Sequence, residues 1–89
     1  MCEFDKVMDM ACRVLKDDDK KKGEQATIEA HFVCKTGGFK VVRYKDGTHV
    51  SLRCVQDLWD LVKDPELKAK ILAKDQSGIL SNNGLKFMQ

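Results

Sequence analysis

Residues 26–54, ATIEAHFVCKTGGFKVVRYKDGTHVSLRC, constrain the fold of this chain more strongly than any other segment. Two tight-turn signals, Gly37-Gly38 and Asp46-Gly47, separate three runs that are rich in apolar and β-branched residues. Gly and Asp tolerate the positive φ that a two-residue type I′ turn requires. The segment therefore predicts three antiparallel strands joined in sequence by two hairpins.

Two-residue loops at both turns would pair Cys34 with Val41 and Val41 with Leu52. Since side chains alternate between the faces of a sheet, this pairing predicts one apolar face. Arg43 is the misfit on that face, and we expect it at an edge with its guanidinium group reaching water. The other residues of the predicted apolar face are Ile28, Ala30, Phe32, Cys34, Phe39, Val41, Val50, Leu52 and Cys54.

The opposite face is predicted to stay open, with a tyrosine among histidines, valines and cations. Such a mixture is typical of protein interfaces. We therefore expect a protein partner or self-association, although a face that is merely solvated would explain the pattern equally well. The alternative is single-stranded nucleic acid, with Tyr44 stacking on bases and the cations contacting phosphates. The predicted binding residues are His31, Val33, Lys35, Lys40, Val42, Tyr44, His49 and Arg53.

Apolar residues at helical spacing predict helices on both sides of the strand segment. Residues 3–16 form an amphipathic helix that should end before the aspartates at positions 17–19, because acidic groups oppose the dipole at a helix C-terminus. Residues 55–62 form a second helix that buries Trp59 against the sheet. A third helix starts at Asp64-Pro65, since Asp is a good N-cap and Pro is favoured at the first helical position.

This order of elements predicts an α+β fold: a two-layer αβββα domain in which helices cover one face of a three-stranded antiparallel meander. At 89 residues the chain forms one small domain. Residues 1–75 are the αβββαα unit, and residues 76–89 are a C-terminal tail. The apolar residues Leu80 and Phe87 predict that this tail docks on the domain or on a second subunit, as a simple tail or as a hairpin.

The order of elements resembles that of double-stranded-RNA-binding domains and of the small Alu-binding subunits of the signal recognition particle. Double-stranded-RNA-binding domains carry a lysine-rich start to the helix after the third strand. Here that position holds Cys54-Val-Gln-Asp-Leu-Trp-Asp60, which is acidic. The resemblance therefore concerns topology and transfers no function.

The four cysteines, Cys2, Cys12, Cys34 and Cys54, lack the C-x-x-C spacing of zinc sites. In the predicted sheet Cys34 and Cys54 lie on the outer strands, about 10 Å apart, which is too far for a disulfide. We therefore expect four reduced thiols and a cytoplasmic protein.

The histidines do not predict a catalytic or metal site, because His31 and His49 lie on the outer strands, about 10 Å apart, and we expect no carboxylate to orient either one. Lys35-Thr-Gly-Gly38 joins two strands and so does not match a phosphate-binding loop. We expect no enzyme activity, metal or small-molecule cofactor. No apolar run approaches the roughly 20 residues of a membrane span, and no signal peptide is evident, so we expect no membrane partner. The net charge of +2 alone does not indicate nucleic acid.

Overall fold

The computed structural model describes residues 3–34 and 39–81. The strands form one antiparallel sheet in the order β1-β2-β3, with helices packed on one of its faces. This confirms the predicted two-layer α+β fold. The elements are α1 (Glu3–Lys20), a 3₁₀ turn (Gly23–Gln25), β1 (Ile28–Cys34), β2 (Phe39–Tyr44), β3 (His49–Leu52), α2 (Val55–Leu61) and α3 (Pro65–Lys74).

The hydrophobic core lies between the sheet and the helices. Trp59, predicted to be buried against the sheet, is only half-buried at the rim of this core. The Nζ atom of Lys68 lies 4.8 Å from the centroid of the Trp59 ring. The core side chains are Val7, Met8, Ala11, Cys12, Val14 and Leu15 of α1, Val42 and Leu52 of the sheet, and Val55, Leu58, Val62, Ile71 and Leu80 of the C-terminal half.

α1 continues to Lys20, one turn beyond the predicted end at residue 16. The reason is Asp19, which is 3% exposed and accepts hydrogen bonds from the backbone N–H groups of Thr27 and Ile28 at 2.8–3.1 Å. Burial raises the pKa of the Asp19 carboxyl, but these hydrogen bonds outweigh burial and hold the pKa below its ordinary value. The carboxylate thus fixes the start of β1 to the end of α1.

The strand register differs from the prediction at both hairpins. Cys34 pairs with Phe39, so four residues connect β1 to β2. The second hairpin has a three-residue connection, because the N–H of Tyr44 donates to the carbonyl of Thr48 at 2.8 Å. Gly47 ends this turn with φ 94°, the left-handed conformation that glycine favours.

The second hairpin is therefore displaced by one residue, and a displacement of one residue exchanges the faces of a strand relative to its neighbour. Lys40 rather than Val41 pairs with Leu52. Val42 and Leu52 lie in the core, whereas Val41 is buried outside it, on the opposite face. The predicted apolar face is correct for Ile28, Val50 and Leu52. It is wrong for Ala30, Phe32 and Cys34 of β1 and for Phe39 and Val41 of β2, which lie on the opposite face, and for Cys54, which is exposed.

Asp75 is the C-cap of α3, and its side chain binds the backbone that follows it. Its Oδ1 atom accepts from the N–H and the hydroxyl of Ser77 and from the N–H of Gly78, and its Oδ2 atom accepts from the N–H of Leu80 at 2.9 Å. This places Leu80 in the core at 1% exposure. The rest of the tail, including Phe87, lies outside the described residues.

Replacing Asp19 by alanine should lower the free energy of unfolding by about 1–3 kcal/mol, because two backbone N–H groups lose their acceptor in a partly buried site. Urea unfolding of D19A and the wild type measures this difference. Asp17→Ala removes an exposed aspartate of the same helix and is the control, with an expected change within about 0.5 kcal/mol. Equal effects of the two substitutions would contradict the role assigned to Asp19.

Candidate interaction surface

The face of the sheet opposite the helices is called the open face here. Its residues follow from the pairing, in which Phe32 lies opposite Val41 and Val41 lies opposite Ser51. Arg53 continues the same face beyond β3, since its guanidinium carbon lies 4.5 Å from the centroid of the Phe39 ring. The open face consists of Ala30, Phe32, Cys34, Phe39, Val41, Arg43, His49, Ser51 and Arg53.

The centre of the open face is apolar. Phe32 is 45% exposed, and Val41 beside it is only 7% exposed although it lies outside the helix-side core. The guanidinium group of Arg53 lies over the Phe39 ring, and the face of an aromatic ring attracts a cation.

Charged groups lie at the rim of the open face. The Nη2 atom of Arg43 contacts Oε1 of Glu29 at 3.3 Å, and both side chains are about half exposed. Exposed pairs of this kind contribute at most about 1 kcal/mol to stability, so this one chiefly orients the two side chains. His49 and Arg53 are also exposed. An apolar centre with a charged rim is the composition of many protein interfaces.

The outer edge of β1 adjoins the open face. In the described part of the chain the exposed large apolar side chains are Phe32 and Val33, at 45% and 43% exposure. They are consecutive residues of β1, so they project from opposite faces of the sheet. The exposed apolar surface therefore follows the edge of the sheet as well as its open face.

The structure does not bring the eight predicted binding residues together on one open face, because those of β1 and β2 lie on the side of the sheet that faces the helices. Val42 and Lys40 are 1% and 3% exposed and lie against the helix layer, and Tyr44 packs at the rim of the core. His31 and Val33 also lie on the helix side of the sheet, and Val33 is at the exposed edge of β1. His49 and Arg53 lie on the open face with Phe32, and Lys35 lies outside the described residues.

Lys40 and His31 meet Asp9 of α1 between the two layers. The Nζ atom of Lys40 donates to Oδ1 of Asp9 at 2.6 Å, and Nε2 of His31 lies 3.8 Å from the same oxygen. Arg13 contacts the other carboxylate oxygen at 2.9 Å. We expected no carboxylate to orient a histidine. Asp9 lies near His31 but beyond hydrogen-bond distance, and it comes from a helix, where strand pairing gives no information. We call these four residues the interlayer cluster.

The interlayer cluster perturbs the pKa values of its members. The hydrogen bond from Lys40 lowers the pKa of Asp9 and outweighs burial, which would raise it. Burial, followed by the charge of Lys40, lowers the pKa of His31 below 6.5. The Nδ1 atom of His31 is buried and has no hydrogen-bond partner among the described residues. His31 is therefore held neutral beside one carboxylate and two cations.

The geometry of the cluster indicates attachment of the two layers. Lys40 is engaged by Asp9, and burial raises the pKa of the neighbouring Cys12 thiol to about 11, which leaves it protonated and a poor nucleophile. Within residues 3–34 and 39–81, no three His, Cys, Asp or Glu side chains are placed to hold one metal ion. The hydrogen bond from Lys40 to Asp9 ties β2 to α1.

Sequence reasoning assigned the open-face aromatic residues Phe32 and Phe39 to the core. A signal for the correct assignment was present, because Arg43 was the misfit on the predicted apolar face. A charged residue in a strand is more often solvated than buried, although Lys40 of the same strand is buried against α1. With Arg43 facing solvent, alternation along β2 places Phe39 and Val41 on the solvated side.

No protein-family model matches the sequence, and no curated protein or solved structure matches it significantly. In the described residues, no helix combines the length and the apolar character that crossing a membrane requires. The functional interpretation therefore depends on the geometry of this chain alone.

Acidification should destabilise the fold through His31. Because its folded-state pKa lies below the unfolded value of 6.5, the unfolded chain binds more protons, so stability is lost as the pH falls below 6.5. Asp9, whose pKa is also lowered, adds a further loss below pH 3.8. Urea unfolding from pH 7.5 to pH 5 should show a declining stability that His31→Gln flattens. His49→Gln, at an exposed position, is the control. An unchanged slope in H31Q would contradict this assignment.

Proposed function

We propose that this protein is a small non-enzymatic interaction module that works in the cytoplasm as an adaptor, regulator or inhibitor and acts by binding. Its binding surface is the outer edge of β1 together with the adjoining open face. The observation that carries the proposal is the concentration of exposed apolar surface at Phe32 and Val33.

The composition of this surface supports a protein partner. Binding energy at protein interfaces concentrates in apolar and aromatic anchors that become fully desolvated, while a polar rim adds specificity. Phe32 is the anchor in this arrangement, and Val41 forms the floor beside it. Arg43 and Arg53 supply the rim, where arginine is favoured over lysine because its planar group packs and hydrogen-bonds at once.

A role without catalysis is supported by how the chemically capable side chains are used. Asp19 and Asp75 bind backbone N–H groups, and Asp9 binds Lys40 and Arg13. These groups stabilise the fold and lie away from the open face. An active site would require a nucleophile, a base and an orienting group converging on one accessible cavity.

Single-stranded nucleic acid is the second candidate ligand of the open face. The observation that favours it is the pair of aromatic side chains on neighbouring strands, Phe32 and Phe39, with the guanidinium group of Arg53 beside them. Aromatic rings and arginine together form stacking platforms for bases. The protein partner is preferred because the Phe39 ring already stacks with Arg53 and because Arg43 is paired with Glu29.

Site-specific photo-cross-linking in the protein's own cells tests this proposal. p-Benzoylphenylalanine at position 32 should form a discrete adduct with a polypeptide, because the Phe32 ring is exposed at the proposed binding surface. The same probe at Ala69, an exposed position of α3 on the helix layer, is the control and should give no such adduct. Mass spectrometry identifies the cross-linked species.

An adduct from position 32 that disappears on nuclease treatment would favour the nucleic-acid candidate instead. Absence of any adduct at position 32, or equal adducts at positions 32 and 69, would contradict a binding role for this surface.

A further inference from the structure

We propose that β1 pairs with β1 of a second copy of this chain, in antiparallel orientation about a two-fold axis at Phe32. The two sheets then become one continuous six-stranded sheet. This inference rests on the proposed function, since it names the partner that the edge of β1 accepts.

Among residues 3–34 and 39–81, no strand pairs with the outer edge of β1. β1 is the outer strand of the sheet on one side, with seven residues and a single irregularity between Ile28 and Ala30. Natural edge strands are commonly protected by lysine, proline or short length, and Ala30–Cys34 contains neither lysine nor proline. The opposite edge strand, β3, is protected by its length of four residues.

The exposed side chains favour pairing at the edge over coverage of a face. Phe32 lies on the open face and Val33 lies on the helix side. A partner seated on the open face would cover Phe32 and leave Val33 in water. A strand placed alongside β1 carries side chains on both faces of the extended sheet, so it shields both residues at once.

Charge and register favour a second copy as that strand. Beyond the irregularity, β1 runs regularly from Ala30 to Cys34, and Phe32 is its midpoint. Antiparallel pairing of the two strands about a two-fold axis at Phe32 places Phe32 opposite its own copy, His31 opposite Val33, and Ala30 opposite Cys34. No Asp, Glu, Lys or Arg occurs in these five residues, so two copies meet without opposed like charges. A charged peptide strand would find no counter-charge there, whereas paired aromatic rings are favourable.

The size of the contact sets the strength of the dimer. A stable interface takes about 800 Å² from each partner, which is more than a tenth of the 5985 Å² surface of this chain. Pairing of five residues with two exposed apolar side chains covers less than that. The dimer is therefore weak, with a dissociation constant in the micromolar to millimolar range.

Sedimentation velocity from about 10 µM to about 1 mM, a range that spans this affinity, tests the proposal. The weight-average mass of the wild type should rise from 10.1 kDa towards twice that value. Val33→Lys, which places a charge at the edge of β1 opposite His31 of the second copy, should weaken association at least about tenfold, because a lysine on an edge strand opposes strand pairing. Ala69→Lys places the same charge at an exposed position of α3, away from the sheet edge, and should leave association unchanged.

Circular dichroism and melting temperature verify that both variants fold. Hydrogen exchange locates the contact, because β1 amides that face away from β2 should become protected as concentration rises. A wild type that remains monomeric at 1 mM overturns the dimer, and so does association that V33K leaves intact. Protection confined to other strands overturns it as well.

The outcomes also separate this proposal from the interaction function. A monomer whose position 32 cross-links to a different polypeptide removes the dimer and keeps the interaction function. A monomer without any position-32 adduct removes both.

Discussion

The hydrogen bond from the N–H of Tyr44 to the carbonyl of Thr48 sets the geometry on which the rest of the structure depends. It closes a three-residue turn in which Gly47 takes the positive φ and Asp46 accepts hydrogen bonds from the N–H and the hydroxyl of Thr48. The side chains of a strand alternate, so turn length decides which side of β2 meets the helices. With three residues in this turn, Lys40 and Val42 face the helices.

Burial of Lys40 follows from that turn and requires compensation. Removing an ammonium group from water costs several kcal/mol unless a counter-charge and hydrogen bonds replace the solvent. Asp9 of α1 provides the counter-charge and the hydrogen bond, with its Oδ1 atom 2.6 Å from Nζ of Lys40. Burial, and after it the charge of Lys40, lowers the pKa of His31 on the neighbouring strand. The interlayer cluster thus ties α1 to the sheet and makes the attachment of α1 sensitive to acid. The apolar residues of β2 that do not face the helices belong to the open face.

The features of the fold that depend on local sequence signals were predicted correctly. The order of helices and strands, the meander and the start of α3 at Pro65 all follow from periodicity, turn residues and capping, and each was predicted correctly. The end of α1 was not, since the hydrogen bonds of Asp19 to Thr27 and Ile28 connect residues that are separate in sequence. An argument from the helix dipole does not predict that an aspartate accepts hydrogen bonds from a different segment of the chain.

The candidate site was harder to predict than the fold because β2, FKVVRY, carries valines on both of its sides. Its pattern is therefore compatible with either face meeting the helices, and only turn length distinguishes the two. Asp46-Gly47 gave the position of the turn correctly and its length incorrectly. Arg43 indicated the solvated side, whereas Lys40 on the other side of β2 is also charged and is buried beside Asp9, so charge alone did not distinguish the two faces.

Nuclear Overhauser effects in solution test the central claim, which is that the Phe32 side of the sheet is open and the Val42 side is packed. Val42 methyl protons should show Overhauser effects to the side chains of α1 residues such as Ala11, with which they share the core. Phe32 ring protons should show them only to open-face neighbours such as Val41. Phe32 ring contacts to α1, with none from Val42, would contradict the strand register and the binding surface inferred from it.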